Sequence, residues 1–320
     1  MPSETIALAR SLRGEPPPST LEGYLSRWES FFDRYALEVE RWHSRNLGYH
    51  EAISRLAGFY VPPGARVLEI GSGTGDLLAS LRPSYGVGVD LSRGMVDLAS
   101  RRHPELHFRQ MPAERLDLPG ETFDYVVLSD LLGFLFDIGE AFRRIRRVCH
   151  ARTRVVMHWY SRLWQPILAA AETVGKKHPL PLLNWTTPHD DRNLLHLAEF
   201  ETVREGQHIL VPARIPLVAA FANRFLAHLP GLRSLCLTRW IVARPLGLLV
   251  LDRAPRVSVV CPCRNEAGNI EEVVRRLPRM GAGTELLFVE GHSSDNTLDE
   301  CRRVAQASPD REIRVLVQEG

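Results

Sequence analysis

Short apolar segments alternate with helix-like segments through the middle of the chain. Five segments are short and largely apolar, as strands buried on both faces of a sheet should be: Arg66–Ile70, Gly86–Asp90, Leu106–Phe108, Tyr125–Leu128 and Arg154–His158. Segments with apolar residues at helical spacing separate most of them: Leu77–Leu81, Met95–Arg102 and Ile138–Val148. This alternation predicts an α/β fold in which helices cover both faces of a parallel sheet.

The segments on either side of this pattern differ from it. Residues 1–20 end in a run rich in Gly, Pro and Ser, which predicts a flexible arm. Residues 21–59 have aromatic and apolar residues at helical spacing, which predicts helices. Residues 161–250 contain helix candidates at Leu163–Val174, Arg192–Ala198 and Leu217–Leu229 and a strand candidate at Cys236–Val242. The apolar stretch Ile215–Leu251 favours core packing, with contact to a membrane surface as the alternative.

A second alternating pattern begins after residue 255. It consists of strand and helix candidates at Val257–Val260, Ile270–Leu277, Glu285–Val289, Leu298–Ala305 and Ile313–Val317. We therefore expect two domains, at residues 21–250 (with a core at about 45–160) and 256–320, with the boundary between residues 250 and 256.

Composition narrows the class of protein. The chain has 320 residues, of which 44% are hydrophobic and 24% charged, as in ordinary globular proteins. A formal net charge of +2 provides no field that would attract nucleic acid. The five cysteines have no metal-ligand spacing, so no metal site is expected. There is no signal-peptide pattern or long uncharged apolar run, so we expect a cytoplasmic location, with peripheral membrane contact as the alternative.

Glycines at alternate positions follow the first predicted strand directly. The sequence there is Glu69-Ile70-Gly71-Ser72-Gly73-Thr74-Gly75, followed by a helix candidate. Glycine is needed where the backbone has a positive φ or where a ligand approaches the chain closely. A strand-to-helix turn at the carboxyl edge of a parallel sheet is the usual nucleotide site of such folds. The first amides of the following helix are suited to a carboxylate.

An acid at the end of the second strand helps to identify the ligand. Asp90 occupies that position, where its carboxylate can accept hydrogen bonds from both hydroxyls of a ribose. The fingerprint for NAD requires a glycine three residues after the second glycine, and that position is Asp76. The pattern therefore favours a nucleoside ligand other than NAD, and a purely structural turn beside a surface Asp is the alternative.

These residues resemble the class I S-adenosylmethionine-dependent methyltransferases of the small-molecule type. The resemblance covers residues 45–160 well and residues 21–250 loosely, and it implies a Rossmann-like methyltransferase sheet with S-adenosylmethionine as cofactor. It also implies that Ala113 lies beside the adenine and that Pro112 replaces an Asp that relatives often carry. The cofactor-binding residues implied are Glu69, Gly71, Ser72, Gly73, Gly75, Asp90, Ala113 and Ser129.

No catalytic residue can be assigned from the sequence. Methyl transfer needs an aligned acceptor, so positioning can supply most of the catalysis. A general base is needed only if the acceptor must lose a proton. The candidates for that role lie near strand ends or in the preceding helix: His50, Asp130, His158 and Tyr160. A structural role is the alternative for each.

Polar loops follow the first two strands of the second pattern. Together they resemble the start of a family 2 glycosyltransferase, which implies a partial GT-A-like α/β nucleotide-binding domain. The sugar-nucleotide-binding residues implied are Pro262, Arg264, Asn265, Glu266 and Glu290. The family's metal-binding Asp-x-Asp motif would fall beyond Gly320, so we expect a truncated domain, a divalent metal only in a complete one, and no glycosyl transfer by this chain.

The two resemblances imply a bifunctional methyltransferase and glycosyltransferase. Its expected partners are a methyl acceptor, either a small molecule, a sugar or a lipid-linked glycan, and a nucleotide-sugar. One alternative is a glycosyltransferase-centred protein whose first domain binds S-adenosylmethionine without catalysis. Another is a non-enzymatic nucleotide-binding scaffold that docks on membranes.

Overall fold

The chain forms two units, each built around its own sheet. The computed structural model describes residues 4–181, 184–212, 221–223, 225–229, 231–247 and 254–319. The first unit spans Met1–Leu248 and the second spans Leu249–Gly320. The predicted helix Leu217–Leu229 and the apolar stretch Ile215–Leu251 lie partly outside the described residues.

A seven-stranded sheet forms the centre of the first unit. Its strands are β1 (Arg66–Ile70), β2 (Tyr85–Asp90), β3 (His107–Gln110), β4 (Phe123–Ser129), β5 (Cys149–Tyr160), β6 (Phe200–His208) and β7 (Thr238–Pro245). Their order is β3-β2-β1-β4-β5-β7-β6. The first five strands are parallel, and β7 is antiparallel to both β5 and β6.

The expectation of a purely parallel sheet is therefore wrong at one edge. Pattern analysis missed β6 because most of its side chains are polar and partly exposed, as expected for an edge strand. Because β6 was not predicted, the apolar strand candidate Cys236–Val242, which forms part of β7, had no predicted neighbour. Its direction in the sheet therefore could not be predicted.

Helices cover both faces of this sheet, as predicted. Those of the first unit are α1 (Glu4–Gly14), α2 (Leu21–Tyr35), α3 (Val39–Arg45), α4 (Leu47–Tyr60), α5 (Asp76–Ser80), α6 (Arg93–Arg102), α7 (Ile138–Arg147), α8 (Gln165–Thr173) and α9 (Pro188–Leu197). Leu68 and Val126 pack on one face in a cluster with Phe142 of α7. Val67 packs on the other face with Ala57 of α4. Alternate strand residues thus fill two cores.

The N-terminal segment differs from its prediction as a flexible arm. Residues 4–14 form α1, and Ala9 is fully buried in a cluster with Trp28 and Phe31 of α2. The Arg13 side chain also bonds to Glu172 and to the carbonyl of Leu180. The Pro-rich run marks only the link between α1 and α2, because proline ends helices without preventing the flanking segments from folding.

The second unit contains a parallel three-stranded sheet. Its strands are β8 (Arg256–Cys263), β9 (Gly283–Glu290) and β10 (Glu312–Val317), in the order β10-β9-β8. Two helices, α10 (Ile270–Arg276) and α11 (Thr297–Ala307), connect them. Phe288 packs with Val274 and Val304 from these helices in a single core.

Candidate functional site

A cavity of about 950 Å³ opens at the carboxyl ends of the central strands of the first unit. One wall is formed by the glycine loop, residues 71–75, and by the residues that follow β2 and β4. Helices α2, α3, α4 and α8 supply much of the opposite wall. This volume lies at the upper end of the range for small-molecule sites, so the cavity is large enough for more than one ligand group.

The glycines of the loop serve different purposes. Gly71, Gly73 and Gly75 all have positive φ, at 72°, 50° and 77°. A Cβ on Gly71 would lie 2.9 Å from Leu131 Cδ1, and a Cβ on Gly75 would lie 2.6 Å from Phe108 Cζ. A Cβ on Gly73 would meet no atom within 4 Å and would enter open space. Gly71 and Gly75 therefore permit packing, whereas Gly73 leaves room beside the cavity.

Asp90 holds the glycine loop in place from the end of β2. Its Oδ2 accepts a hydrogen bond from Gly73 N at 2.9 Å, and its Oδ1 accepts one from Ser92 N at 2.9 Å. Burial raises the pKa of Asp90, and these backbone donors partly oppose that rise. Each oxygen retains acceptor capacity for a further donor.

Glu69 lies in β1, just before the glycine loop, and stabilises the start of the helix that follows the loop. Its Oε2 accepts a hydrogen bond from Leu78 N at 3.1 Å, and the side chain is buried. The expected free amides at the start of the following helix are therefore partly used. Asp76, the first residue of that helix, lines the cavity, and its carboxylate is paired with Arg102 at 3.0 Å and with His103 at 2.9 Å.

A pH-dependent stability follows from Glu69. Burial raises its pKa well above the usual value, with the charge of Asp90 adding to the rise. Protonated Glu69 makes its whole contribution to stability below about pH 4, near the pKa of glutamate in the unfolded chain. This contribution is lost as the pH rises through the higher pKa of Glu69 in the folded protein. We expect the free energy of unfolding of wild type to fall relative to Glu69→Gln over that window, by at most about 1.4 kcal/mol per pH unit.

Urea denaturation between about pH 4 and pH 7 checks this expectation. The matched control is Glu105→Gln, since Glu105 is an exposed glutamate away from the cavity. A difference between wild type and Glu69→Gln that stays constant with pH would contradict the assignment.

The other residues predicted to bind cofactor lie at two further places on the cavity wall. Ala113 lines it together with Met111, whose amide donates to the carbonyl of Asp90 at 2.8 Å. Ser129 lines it at the end of β4. The structure thus places Glu69, Gly71, Ser72, Gly73, Asp90, Ala113 and Ser129 on one cavity and leaves Gly75 off its lining.

Aromatic side chains form a second part of the cavity, which we call the aromatic lobe. It consists of Trp28, Phe32, Tyr35, Trp42 and Phe134. The ring centroids of Trp28 and Phe134 are 4.9 Å apart in an edge-to-face arrangement, and those of Trp28 and Phe32 are 5.6 Å apart. Sequence analysis did not predict this role, because aromatic residues at helical spacing are typical of any buried helix face.

Three of the four proposed base candidates lie together at the ends of β4 and β5. His158 Nδ1 is 3.4 Å from Asp130 Oδ1, and Tyr160 stacks on Tyr49 with centroids 5.6 Å apart. Tyr49, which sequence analysis missed, donates to Asp130 Oδ2 at 2.6 Å. His50 packs on His43 instead, and burial followed by the His43 charge lowers its pKa to about 4.

The predicted residues of the second unit lie on two adjacent loops. Asn265 Oδ1 accepts a hydrogen bond from Ser294 N at 2.8 Å, and Asn265 N donates to Ser293 Oγ at 3.0 Å. Glu290 is buried and accepts from Ser293 N. Pro262 is exposed within β8, and Arg264 and Glu266 are exposed on the loop that follows it.

Among residues 4–181, 184–212, 221–223, 225–229, 231–247 and 254–319, no group of three or more His, Cys, Asp or Glu side chains is arranged to hold a metal ion. No helix within the same ranges has both the length and the apolar character needed to span a membrane.

Comparisons with known proteins bear on the first unit. Residues 67–152 match the family model described as a methyltransferase domain. The chain is 28% identical over 161 residues to a ubiquinone/menaquinone biosynthesis C-methyltransferase of Hahella chejuensis, covering 47% of this chain and 65% of the relative. It is 32% identical over 130 residues to a phosphatidylethanolamine N-methyltransferase of Cereibacter sphaeroides, covering 38% of this chain and 64% of the relative. The chain thus spans just under two thirds of each relative.

A solved structure has the same fold. An S-adenosylmethionine-dependent methyltransferase of Thermotoga maritima aligns with a TM-score of 0.52 at 19% identity, covering 67% of this chain and 97% of that one. The first unit therefore has the α/β Rossmann-like fold of class I S-adenosylmethionine-dependent methyltransferases, with a seven-stranded sheet. Residues 67–152, which match the methyltransferase domain model, lie within this unit.

Proposed function

We propose that the first unit binds S-adenosylmethionine in the cavity and transfers its methyl group to an acceptor in the aromatic lobe. The proposal rests chiefly on the open space at Gly73. This glycine lines the cavity with a positive φ and has no atom within 4 Å of a Cβ position. A ligand can therefore approach the backbone there more closely than any other residue type would allow.

Each part of the nucleoside would have a partner on the cavity wall. Asp90 would accept from the ribose hydroxyls, using the acceptor capacity that its two backbone donors leave. The segment from Met111 to Ala113 would lie against the adenine, and Ser72 and Gly73 would border the methionine part. When bound, S-adenosylmethionine supplies an electrophilic methyl group, so the protein's task is to align the acceptor and exclude water.

Charge on this wall favours S-adenosylmethionine over NAD. Asp76 and Asp90 line the cavity around the glycine loop, and Asp76 is also paired with Arg102 and His103. The carboxylate of Asp90 attracts a sulfonium or an ammonium group and repels the diphosphate of a dinucleotide. Burial raises the pKa of Glu69, so this third acid adds little negative charge.

The aromatic lobe favours an acceptor with an apolar body. Two relatives are named for ubiquinone/menaquinone biosynthesis and for phosphatidylethanolamine. A hydroquinone-type ring or a lipid-linked molecule would fit a pocket lined by Trp28, Phe32 and Phe134, because planar and apolar groups pack well on aromatic rings. Small molecules and sugars carrying an apolar group belong to the same proposal.

Turnover with labelled cofactor tests this function. Purified protein and methyl-labelled S-adenosylmethionine are incubated with 1,4-naphthohydroquinone or with dispersed phosphatidylethanolamine, each as a separate acceptor. We expect label in an organic-extractable product of at least one of these acceptors, and we expect Gly73→Ala to lose it while Gly120→Ala keeps it. Cofactor binding without label in any acceptor would refute methyl transfer and favour a domain that binds S-adenosylmethionine without catalysis.

For the second unit, we propose that the loops after β8 and β9 bind a nucleotide, as half of a sugar-donor site. The supporting observation is that Asn265 and Glu290 organise both loops through bonds to the same turn at Ser293 and Ser294. Titration of the full chain with uridine diphosphate, followed by NMR, should perturb these loops. Unchanged spectra at millimolar nucleotide would refute the proposal.

A further inference from the structure

We propose that Asp130 is the general base of the first unit, and that the methyl acceptor is therefore a hydroxyl or an acidic C–H group. This inference rests on the proposed methyl transfer and adds the acceptor class and a residue role. It is carried by the backbone, the partners and the position of Asp130, each of which the structure describes independently.

The backbone of Asp130 has an uncommon conformation. Its φ is 52°, in the left-handed region that few residues other than glycine, asparagine and aspartate adopt. The surrounding structure maintains it, because Asp130 N donates to the carbonyl of His158 at 2.9 Å. Residues in uncommon backbone conformations cluster at active sites and ligand-binding sites. Here it turns the residue after β4 toward the cavity that it lines.

Two side chains lie against the carboxylate, and one of them is hydrogen-bonded to it. Tyr49 donates to Oδ2 at 2.6 Å, and burial followed by the charge of Asp130 raises the pKa of this tyrosine well above its usual value. The phenol thus stays protonated and remains a donor. On the other side, His158 Nδ1 lies 3.4 Å from Oδ1, and His158 Nε2 is 2.7 Å from Ser129 Oγ. Among the described residues, neither Oδ1 nor His158 Nδ1 has a hydrogen-bond partner.

The carboxylate lies between the glycine loop and the aromatic lobe. Strand β4 pairs with β1 so that Leu128 is opposite Ile70, one residue before the loop. Leu131, next to Asp130, approaches the Cβ position of Gly71 within 2.9 Å. Phe134 of the aromatic lobe follows three residues later. A group on the acceptor that reaches the cofactor must therefore pass close to Asp130.

This position favours a proton-losing acceptor over an amine. A carboxylate stabilises the ammonium form of an amine, which has no lone pair for attack. For a hydroxyl, the acceptor oxygen forms the bond to the methyl carbon and the carbon–sulfur electron pair stays on sulfur. The hydroxyl proton passes to the Asp130 carboxylate and from there to water, so charge and atoms balance. An acidic C–H group would react in the same way through its carbon.

The first test measures contact with a hydroxyl without any turnover. The probe is 4-nitrophenol, whose visible phenolate absorbance reports its protonation, added to protein saturated with S-adenosylhomocysteine. The Asp130 carboxylate should hold the neutral phenol and repel the phenolate, raising the apparent pKa of the bound probe by about one to three units. Asp130→Asn should remove most of that rise, whereas the exposed control Asp117→Asn should keep it.

The second test uses single-turnover transfer to 1,4-naphthohydroquinone. Asp130→Asn should slow transfer by about 10²–10⁴-fold, the usual contribution of a general base, with unchanged binding of S-adenosylhomocysteine. Tyr49→Phe removes the donor that holds Asp130 Oδ2, so it should slow transfer by less than Asp130→Asn does, with unchanged binding of S-adenosylhomocysteine. The titratable groups facing Asp130 are Tyr49 and His50 from α4, His158 and Tyr160 from β5, and Lys177 after α8.

The outcomes separate this inference from the proposed function. An equal probe shift in wild type and Asp130→Asn, or no shift in either, would overturn the role of Asp130 while cofactor binding stands. Absence of S-adenosylhomocysteine binding by wild type would instead refute the proposed function. We expect a probe shift that depends on Asp130. We also expect Asp130→Asn to transfer the methyl group slowly while it still binds S-adenosylhomocysteine.

Discussion

Gly73→Ala weakens binding of S-adenosylhomocysteine by about 1–3 kcal/mol, the usual cost of overpacking a close contact. In affinity this is roughly a five- to 150-fold loss. The reason is the open space beside Gly73, into which the new methyl group would project at the wall of the cavity. The same substitution costs stability as well, because alanine at positive φ is strained by roughly 1–2 kcal/mol.

Gly120→Ala is the matched control for that strain. Gly120 has a φ of 76° and also has no atom within 4 Å of a Cβ position, but it is exposed and does not line the cavity. Both variants should lose similar stability in urea, and only Gly73→Ala should lose affinity by calorimetry. Equal affinities for the two variants would show that the cofactor does not approach Gly73.

Glu172→Ala should lower the free energy of unfolding by about 2–4 kcal/mol, because it removes the partner of a largely buried cation. Lys177 Nζ lies 2.7 Å from Glu172 Oε1, and both side chains are mostly buried beside the aromatic lobe. Burial already lowers the pKa of Lys177, an effect that Glu172 opposes. Arg13 also contacts Glu172 but is more exposed, so water can replace its partner.

A double-mutant cycle distinguishes this explanation from lost packing. The variant Glu172→Ala with Lys177→Met removes the unpaired charge and keeps an apolar side chain of similar length. Its urea denaturation should show a smaller loss of stability than Glu172→Ala alone. The variant Lys177→Met is measured as well. If the losses of Glu172→Ala and Lys177→Met simply add in the double variant, an unpaired buried charge does not explain the loss of stability in Glu172→Ala.

The features that could be predicted from sequence are local ones. The glycine loop and Asp90 are encoded within about twenty residues, because a strand, a turn and a helix start each leave a short-range signature. The strands β1, β2, β4 and β5 were visible for the same reason, since strands buried on both faces are continuous apolar runs. A local pattern does not show what each glycine is for. Gly75 allows close contact with Phe108 rather than with a ligand.

The rest of the site depends on long-range contacts that carry no local pattern. Tyr49 meets Asp130 across 81 positions of sequence, and the aromatic lobe joins α2 and α3 to Phe134. Nothing near Tyr49 distinguishes it from a core tyrosine. The candidates Asp130, His158 and Tyr160 could be named because strand ends are favoured sites, but only their distances single out Asp130.

Calorimetric titration of the full chain with S-adenosylhomocysteine and with NAD tests the central claim most directly. The cavity should bind S-adenosylhomocysteine saturably with one site per chain, because Asp90 and the glycine loop suit its ribose and thioether. NAD should neither bind comparably nor compete, because its diphosphate would face the acids around the loop. Tighter binding of NAD than of S-adenosylhomocysteine would contradict the account.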